Sequence, residues 1–322
     1  MTLLRPPSKN NQHSSGFALV VVILILLLVT VLAAELTFAV RVGTLEGFNT
    51  RQRLVGRALA HGGINQALFT LLDTPLDIDD EQITFTYLGK EHEITLDTGR
   101  LAYVLVNESG KIDLNGASRH LLTTFGDFLG MEDDELATLT DSLEDWRDAD
   151  NLHRLQGAED EYYQELEPPY RARNGKLIEV SELNLIRGAE KIGDMIKISE
   201  TFTVHNPKGK INFNSLSPAM LAFLTENDPD KIATYHELRE NQGDLSVVEA
   251  QLVLDNDRYQ QCADFLTYSD NKVPFYTVTA TGYAGLQEEN QETDERPGTK
   301  VTVLFEKNDI KLNYYGWQEE WS

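Results

Sequence analysis

The sequence predicts an α+β protein in which a long N-terminal helix packs on a small antiparallel sheet that carries a large helical insertion. An apolar run at residues 17–34 continues into a helical pattern that lasts to residue 72. Alternating apolar and polar residues predict strands on both sides of residues 110–271, where apolar residues recur at helical spacing. With 41% hydrophobic and 25% charged residues, the 322-residue chain has the composition of a globular protein.

The charge and motif content of the chain narrow its classes of function. It carries 28 Lys and Arg against 52 Asp and Glu, a formal net charge of −24. Because phosphate binding requires clustered cations, this balance predicts no nucleic-acid partner. The single Cys262 excludes an internal disulfide and metal sites built from several cysteines. Short motifs of hydrolases, zinc proteases and nucleotide-binding enzymes are absent from the sequence, so the chain is not expected to be an enzyme.

The apolar run is long enough to cross a membrane. From Phe17 to Ala34 its only polar residue is Thr30. At about 1.5 Å per residue these 18 residues span about 27 Å, and a helix continued to residue 40 crosses a bilayer core of about 30 Å. Arg5 and Lys9 precede the run, so the positive-inside rule predicts a cytoplasmic N terminus and an external C-terminal part.

The start of the apolar run resembles the prepilin signal of the type IV pilin class, since a short basic leader ends at Gly16 and Phe17 opens the run. The resemblance implies a leader at residues 1–16, cleavage by a prepilin peptidase, and N-methylation of Phe17. At the fifth mature position most pilins carry glutamate, whereas this chain has Val21. In lacking this glutamate, the chain resembles the protein K (GspK) family of type II secretion. A secretory signal cut after residues 31–33 and a plain uncleaved anchor are the alternatives.

The segments that follow predict the helix and the sheet. Residues 35–72 continue as an amphipathic helix, with no proline before Pro75. The five glycines of this helix indicate either tolerated flexibility or close helix packing in a bundle, and the sequence leaves both open. Alternation at residues 83–87, 94–96, 101–105, 275–282 and 300–305 predicts an antiparallel sheet, assigned to a β domain at residues 80–109 and 272–318.

The middle of the chain contains an internal repeat. Residues 107–115 match residues 206–214 at an offset of 99, and each copy is followed by a serine, Ser118 or Ser217, that opens an apolar helix. Two related helical units are therefore predicted within the insertion at residues 110–271, one over 110–200 and the other over 201–271. They resemble the two SAM-like parts of the protein K insertion.

A cluster of acidic residues lies in the first unit. Its five carboxylates are those of Asp145, Asp148, Asp150, Glu159 and Asp160. Calcium takes six to eight oxygen ligands, which such a loop can supply, although the spacing is not that of an EF-hand. A solvated acidic loop is the alternative, as is a helix-closing role for Asp145. The pieces DWRDAD and GAEDEYY resemble the protein K signature, which implies that calcium binds here.

The resemblance also implies a function. It predicts a minor pseudopilin that caps the tip of the type II secretion pseudopilus and helps to initiate its assembly for protein export across the outer membrane. The implied location is the inner membrane, with a single span and a periplasmic C-terminal domain, and the implied partners are the minor pseudopilins I, J and H. A minor pilin of a type IV pilus and a singly anchored periplasmic calcium-binding protein or enzyme are the alternatives.

Overall fold

The computed structural model describes residues 14–72, 88–190, 192–268, 273–285 and 298–321. The predicted strand at residues 83–87 and residues 1–13 of the predicted leader lie outside these ranges. The chain divides into two compact units between Leu54 and Val55. This division falls within the first helix, since the C-terminal part of the helix belongs to the unit that contains the sheet.

The first helix, α1, runs over Ser14–Leu72 and is 59 residues long. Its most apolar stretch has a mean hydropathy of 3.3, and by length and composition the helix can cross a membrane. The hydroxyl of Thr30 donates a hydrogen bond to the carbonyl of Leu27 at 2.8 Å, so the one polar side chain of the apolar run is satisfied within the helix. The long N-terminal helix that the sequence predicts is thereby confirmed.

The C-terminal part of α1 supplies one layer of the second unit's core. Its buried side chains recur at helical spacing and pack against the apolar face of the sheet; they are Leu59, Ala60, Ile64, Ala67, Leu68 and Leu71. A Cβ atom on Gly56 would lie 2.9 Å from the carbonyl oxygen of Gly282 on the sheet. At this position the glycine is explained by the close approach of the helix to the sheet of the same chain.

Among the described residues, the sheet has five antiparallel strands in the order β1-β2-β7-β8-β9. The strands are β1 (Glu91–Leu96), β2 (Gly99–Asn107), β7 (Phe275–Ala284), β8 (Thr299–Asn308) and β9 (Lys311–Trp321). Along β7, Val278 and Ala280 are fully buried against α1, whereas Thr277 and Thr279 point to the opposite face. The period-two alternation of the sequence therefore fixes which face of the sheet meets the helix.

Helices and two-residue strands fill the chain between β2 and β7. The elements are β3 (Ile112–Asp113), α2 (Arg119–Phe128), α3 (Asp133–Arg147), α4 (Asp160–Gln164), α5 (Ile192–Met195), α6 (Ile198–Thr201), β4 (Phe202–Thr203), β5 (Ile211–Asn212), α7 (Pro218–Thr225), α8 (Pro229–Gln242), α9 (Val247–Leu254), α10 (Asn256–Cys262) and β6 (Leu266–Thr267). Strand β3 pairs in parallel with β4, and β5 pairs in parallel with β6. The α+β class with a helical insertion is confirmed.

The internal repeat of the sequence has the same local structure in both copies. Ser118 and Ser217 cap α2 and α7, each accepting a hydrogen bond from a main-chain amide three residues later at 3.2 Å. The amide side chain of Asn115 makes two hydrogen bonds to the main chain of Leu177, at 2.7 and 3.0 Å. In the second copy Asn214 bonds in the same way to Leu245, at 2.7 and 2.9 Å.

The two ends of the insertion meet beside the sheet. The Nδ2 atom of Asn107, the last residue of β2, donates to the carbonyls of Val273 and Phe275 at 2.7 and 3.2 Å. A buried ion pair, with Lys111 Nζ 2.6 Å from Glu108 Oε1, lies next to this junction. The helical insertion thus leaves and rejoins the sheet at adjacent points.

Candidate metal centre

The acidic cluster lies where α3 ends and α4 begins. Asp145 is in the last turn of α3, and Asp148 caps the end of that helix, its main-chain amide bonded to the carbonyl of Glu144 at 3.1 Å. Glu159 occupies the cap position before α4. The loop between the two helices folds back, so carboxylates from both helix ends face one another.

Three of the five carboxylates that the sequence singles out come together. Asp145, Asp148 and Glu159 each offer an oxygen, and these oxygens all lie within 4.8 Å of one another. The side chain of Asp145 is 0% exposed and Glu159 is 4% exposed. Buried carboxylates are costly unless a cation or hydrogen-bond donors compensate their charge, so this arrangement calls for a positive partner.

Arg154 supplies part of that charge. Its Nη1 atom lies 2.5 Å from Asp145 Oδ1 and 2.7 Å from Asp148 Oδ2, and its Nε atom lies 2.8 Å from Glu144 Oε2. The main-chain amide of Arg154 also donates to Asp145 Oδ2 at 3.0 Å. The arginine thus holds two of the three converging carboxylates.

Glu159 is the member of the group that Arg154 does not reach. Both of its side-chain oxygens are buried and lack a hydrogen-bond partner. Burial, reinforced by the neighbouring charges of Asp145, Asp148, Asp150 and Asp160, raises the pKa of Glu159 to about 7. An orphaned pair of buried carboxylate oxygens, aimed at two further carboxylates, fits a bound cation.

Asp150 and Asp160 lie outside the converging group. Asp150 Oδ1 accepts a hydrogen bond from the main-chain amide of Leu152 at 2.9 Å, which shapes the loop. Asp160 Oδ1 accepts from the amide of Ala172 at 2.9 Å, which ties α4 to the following segment. Both contribute negative charge near Glu159, and the main-chain amide of Asp150 donates to Asp148 Oδ1 at 3.4 Å, but their own carboxylates are not among the three that converge.

Sequence reasoning missed two residues that shape this centre. Arg154 is one, and a basic residue inside an acidic loop was the available signal. The other is Gly157, where a Cβ atom would lie 1.8 Å from Asp145 Oδ2. Only glycine permits the loop to approach the Asp145 carboxylate so closely. The glycine is visible in the Gly-Ala-Glu-Asp motif of the sequence, but its close approach to Asp145 is visible only in the structure.

The donor set defines the kind of ion that the centre suits. All three converging side chains offer carboxylate oxygens. These are hard ligands, and they suit calcium, magnesium and manganese better than they suit softer metals. Trp146, next to Asp145 in the chain, belongs to an aromatic cluster in which its ring lies 5.1 Å from that of Tyr163 and 6.4 Å from that of Tyr170.

Together, the fold and the centre define a class of protein: an α+β protein with a long apolar N-terminal helix and an antiparallel sheet that carries a helical insertion with an acidic site. Within this class, residues 105–192 match the family model "Type II secretion system (T2SS), protein K", and the match includes the whole candidate centre. The resemblance to type II secretion protein K that the sequence predicts is confirmed over residues 105–192.

Curated relatives agree with the family model. The chain is 32% identical over 161 residues to type II secretion system protein K of Pseudomonas aeruginosa, a match that covers 46% of either chain. It is 33% identical over 105 residues to the protein of the same name from Aeromonas hydrophila, covering 32% of either chain. The chain therefore spans about half or less of the length of these relatives.

A solved structure shares the fold. It is the crystal structure of the GspK-GspI-GspJ complex from the type 2 secretion system of enterotoxigenic Escherichia coli. One of its chains aligns with a TM-score of 0.51 at 14% identity, over 87% of this chain and 99% of that chain. At this level of identity the likeness concerns the fold alone.

Proposed function

We propose that this chain is a minor pseudopilin that caps the tip of a type II secretion pseudopilus and helps to initiate its assembly. The observation that carries the proposal is the helical insertion between β2 and β7, within a chain whose residues 105–192 match protein K. A subunit that repeats along a filament must accept an identical neighbour on each side. An insertion that makes up more than half of the second unit favours a position at the end of the filament instead. The proposed role is structural rather than enzymatic.

The same proposal assigns a location. The exposed apolar side chains that begin at Phe17 suit a single span of the inner membrane, with the C-terminal domain in the periplasm. Prepilin peptidase would cut between Gly16 and Phe17, and Phe17 would then be methylated. Since Val21 replaces the usual acid, this subunit buries no carboxylate that needs a neighbour's terminal amine.

The partners follow from the relatives. The similar crystal structure contains GspI and GspJ, which supports the minor pseudopilins I and J as partners. Pseudopilin H is proposed on the resemblance of the sequence to the family.

Calcium is the proposed ion of the acidic centre. Asp145, Asp148 and Glu159 would bind it directly, and Asp150 and Asp160 would add negative charge or further ligands after small movements of the loop. When bound, calcium would neutralise the buried carboxylates, and by binding only the folded form it would stabilise the insertion.

Two measurements test the proposal. The intact mass and N-terminal residue of the protein from its native membrane are expected to show a chain that starts at Phe17 with one added methyl group. A chain that still starts at Met1, or at Ala34, would contradict the prepilin assignment. Tip position is tested by immunogold labelling of sheared pseudopili, where label at one end supports the cap and label along the filament refutes it.

A further inference from the structure

The arginine in the acidic centre contacts two of the three carboxylates that a bound ion would need. Arg154 Nη1 lies between Asp145 Oδ1 and Asp148 Oδ2, at 2.5 and 2.7 Å, and these are two of the three carboxylates that converge. A guanidinium bound in this way already satisfies the carboxylates that calcium would use. The structure therefore contains a cation of its own in the candidate site.

We propose that Arg154 is a built-in competitor for the metal ion. In the ion-free protein its guanidinium neutralises Asp145 and Asp148, and a divalent cation binds only when that group moves away. The inference rests on the proposed calcium site and concerns its regulation. In this proposal, Arg154 sets the calcium concentration at which the site fills.

The surroundings of Arg154 allow it to leave. Its side chain is 36% exposed, so the guanidinium can move into solvent without opening the core. Its Nε atom is also paired with Glu144 Oε2 at 2.8 Å, and Glu144 is not among the converging carboxylates. Glu144 thus gives the displaced guanidinium a second anionic partner just outside the site.

Charge explains why the ion can win. Arg154 contacts two carboxylates and leaves Glu159, whose buried oxygens have no hydrogen-bond partner. One guanidinium carries a single positive charge, whereas a calcium ion carries two and can contact all three carboxylates at once. A guanidinium left beside the ion would be repelled by it. The two cations therefore exclude each other from the same oxygens.

The test is a calcium titration of the full chain in a zwitterionic detergent, by isothermal calorimetry. If the arginine-bound arrangement makes up nine-tenths of the ion-free population, Arg154→Gln is expected to tighten the apparent Kd about tenfold. Arg154→Lys is expected to have an intermediate effect, because an ammonium group cannot bridge two carboxylates as a guanidinium does.

Arg173→Gln is the matched control. Arg173 is similarly exposed, at 33%, and forms an ion pair with Glu182, which is not among the converging carboxylates. Its loss is expected to leave the calcium Kd unchanged. A tightening as large as that of Arg154→Gln would mean that general charge, not competition in the site, sets the affinity, and would overturn the proposal.

A second readout separates competition from positioning. Without calcium, the Tm of Arg154→Gln is expected to lie below that of the wild type. In saturating calcium, the two proteins are expected to have the same Tm. An unchanged or weaker calcium affinity in Arg154→Gln would overturn the proposal and make Arg154 a residue that orients the carboxylates. If neither wild type nor Arg154→Gln binds calcium, the calcium site itself is refuted. If Arg154→Gln does not fold in EGTA, the comparison is made with Arg154→Lys.

Discussion

The most direct consequence of an orphaned buried carboxylate is that its removal stabilises the ion-free protein. Glu159→Gln keeps the shape of the side chain and removes its charge. The pKa of Glu159 rises from the ordinary 4.5 to about 7, which corresponds to a cost on the order of 3 kcal/mol for the ionised form. At about 2–4 °C per kcal/mol, the variant is expected to melt about 6–12 °C above wild type in EGTA at pH 8.

The advantage of the variant depends on pH. Below pH 4.5 the carboxyl is protonated in both the folded and the unfolded chain, so Glu159 and glutamine are equivalent. As pH rises from 4.5 to about 7, the unfolded chain loses the proton first, and the wild type loses stability relative to the variant. Above this range the difference is constant.

Calcium is expected to reverse the order. At a free calcium concentration 1,000 times the Kd, the wild type gains about 4.1 kcal/mol, which exceeds the advantage of the variant, whereas a variant that has lost a ligand gains little. The assay is differential scanning calorimetry of the full chain in EGTA and in calcium. Glu161→Gln, an exposed neighbour on α4, is the control and should follow wild type. A Glu159→Gln protein that is less stable than wild type in EGTA, or gains as much from calcium, would refute the reasoning.

Three further substitutions test other features. Asn214→Ala leaves the main-chain groups of Leu245 unpaired and is expected to cost about 2–3 kcal/mol in chemical denaturation, with faster exchange of the Leu245 amide; unchanged exchange would mean that the Asn214 side chain does not hold Leu245 in place. Gly157→Ala drives a Cβ atom into the Asp145 carboxylate and should weaken calcium binding at least tenfold in calorimetry, and an unaltered Kd would argue against the assigned site. Gly282→Ala places a Cβ 2.0 Å from a carbonyl of α1 and should lower the Tm, whereas an equal Tm would mean that helix and sheet can move apart freely.

The larger elements of the fold could be predicted because each repeats one signal many times. The apolar period of α1 and the alternation along β7 and β8 are carried by several residues apiece, so a single exception does not hide them. Strands β3 and β5 have two residues each, and no periodicity can be read from two positions. The sequence repeat located both of them without revealing that each forms a parallel pair.

The sequence predicts that the candidate centre is acidic, but it does not predict which of the carboxylates converge. Acidic residues at 145–160 mark the loop, yet the direction of a side chain in a loop depends on main-chain angles that the sequence does not state. Asp148 therefore points into the group while Asp150 bonds to the main chain of the loop itself. Arg154 was missed because a search for metal ligands counts acids and passes over the cation among them.

The junction at Asn107 has a consequence for the order of folding. Strand β2 pairs with β7 through Asn107 and Tyr276, which are about 170 residues apart in the chain. Closing a disordered loop of that length costs about 4–5 kcal/mol of entropy, from the logarithmic dependence on loop length. An insertion that has already folded holds its two ends together, since the side chain of Asn107 donates a hydrogen bond to the carbonyl of Val273. Most of the entropy cost of closing the loop is then removed. We therefore expect the insertion to fold before β2 pairs with β7.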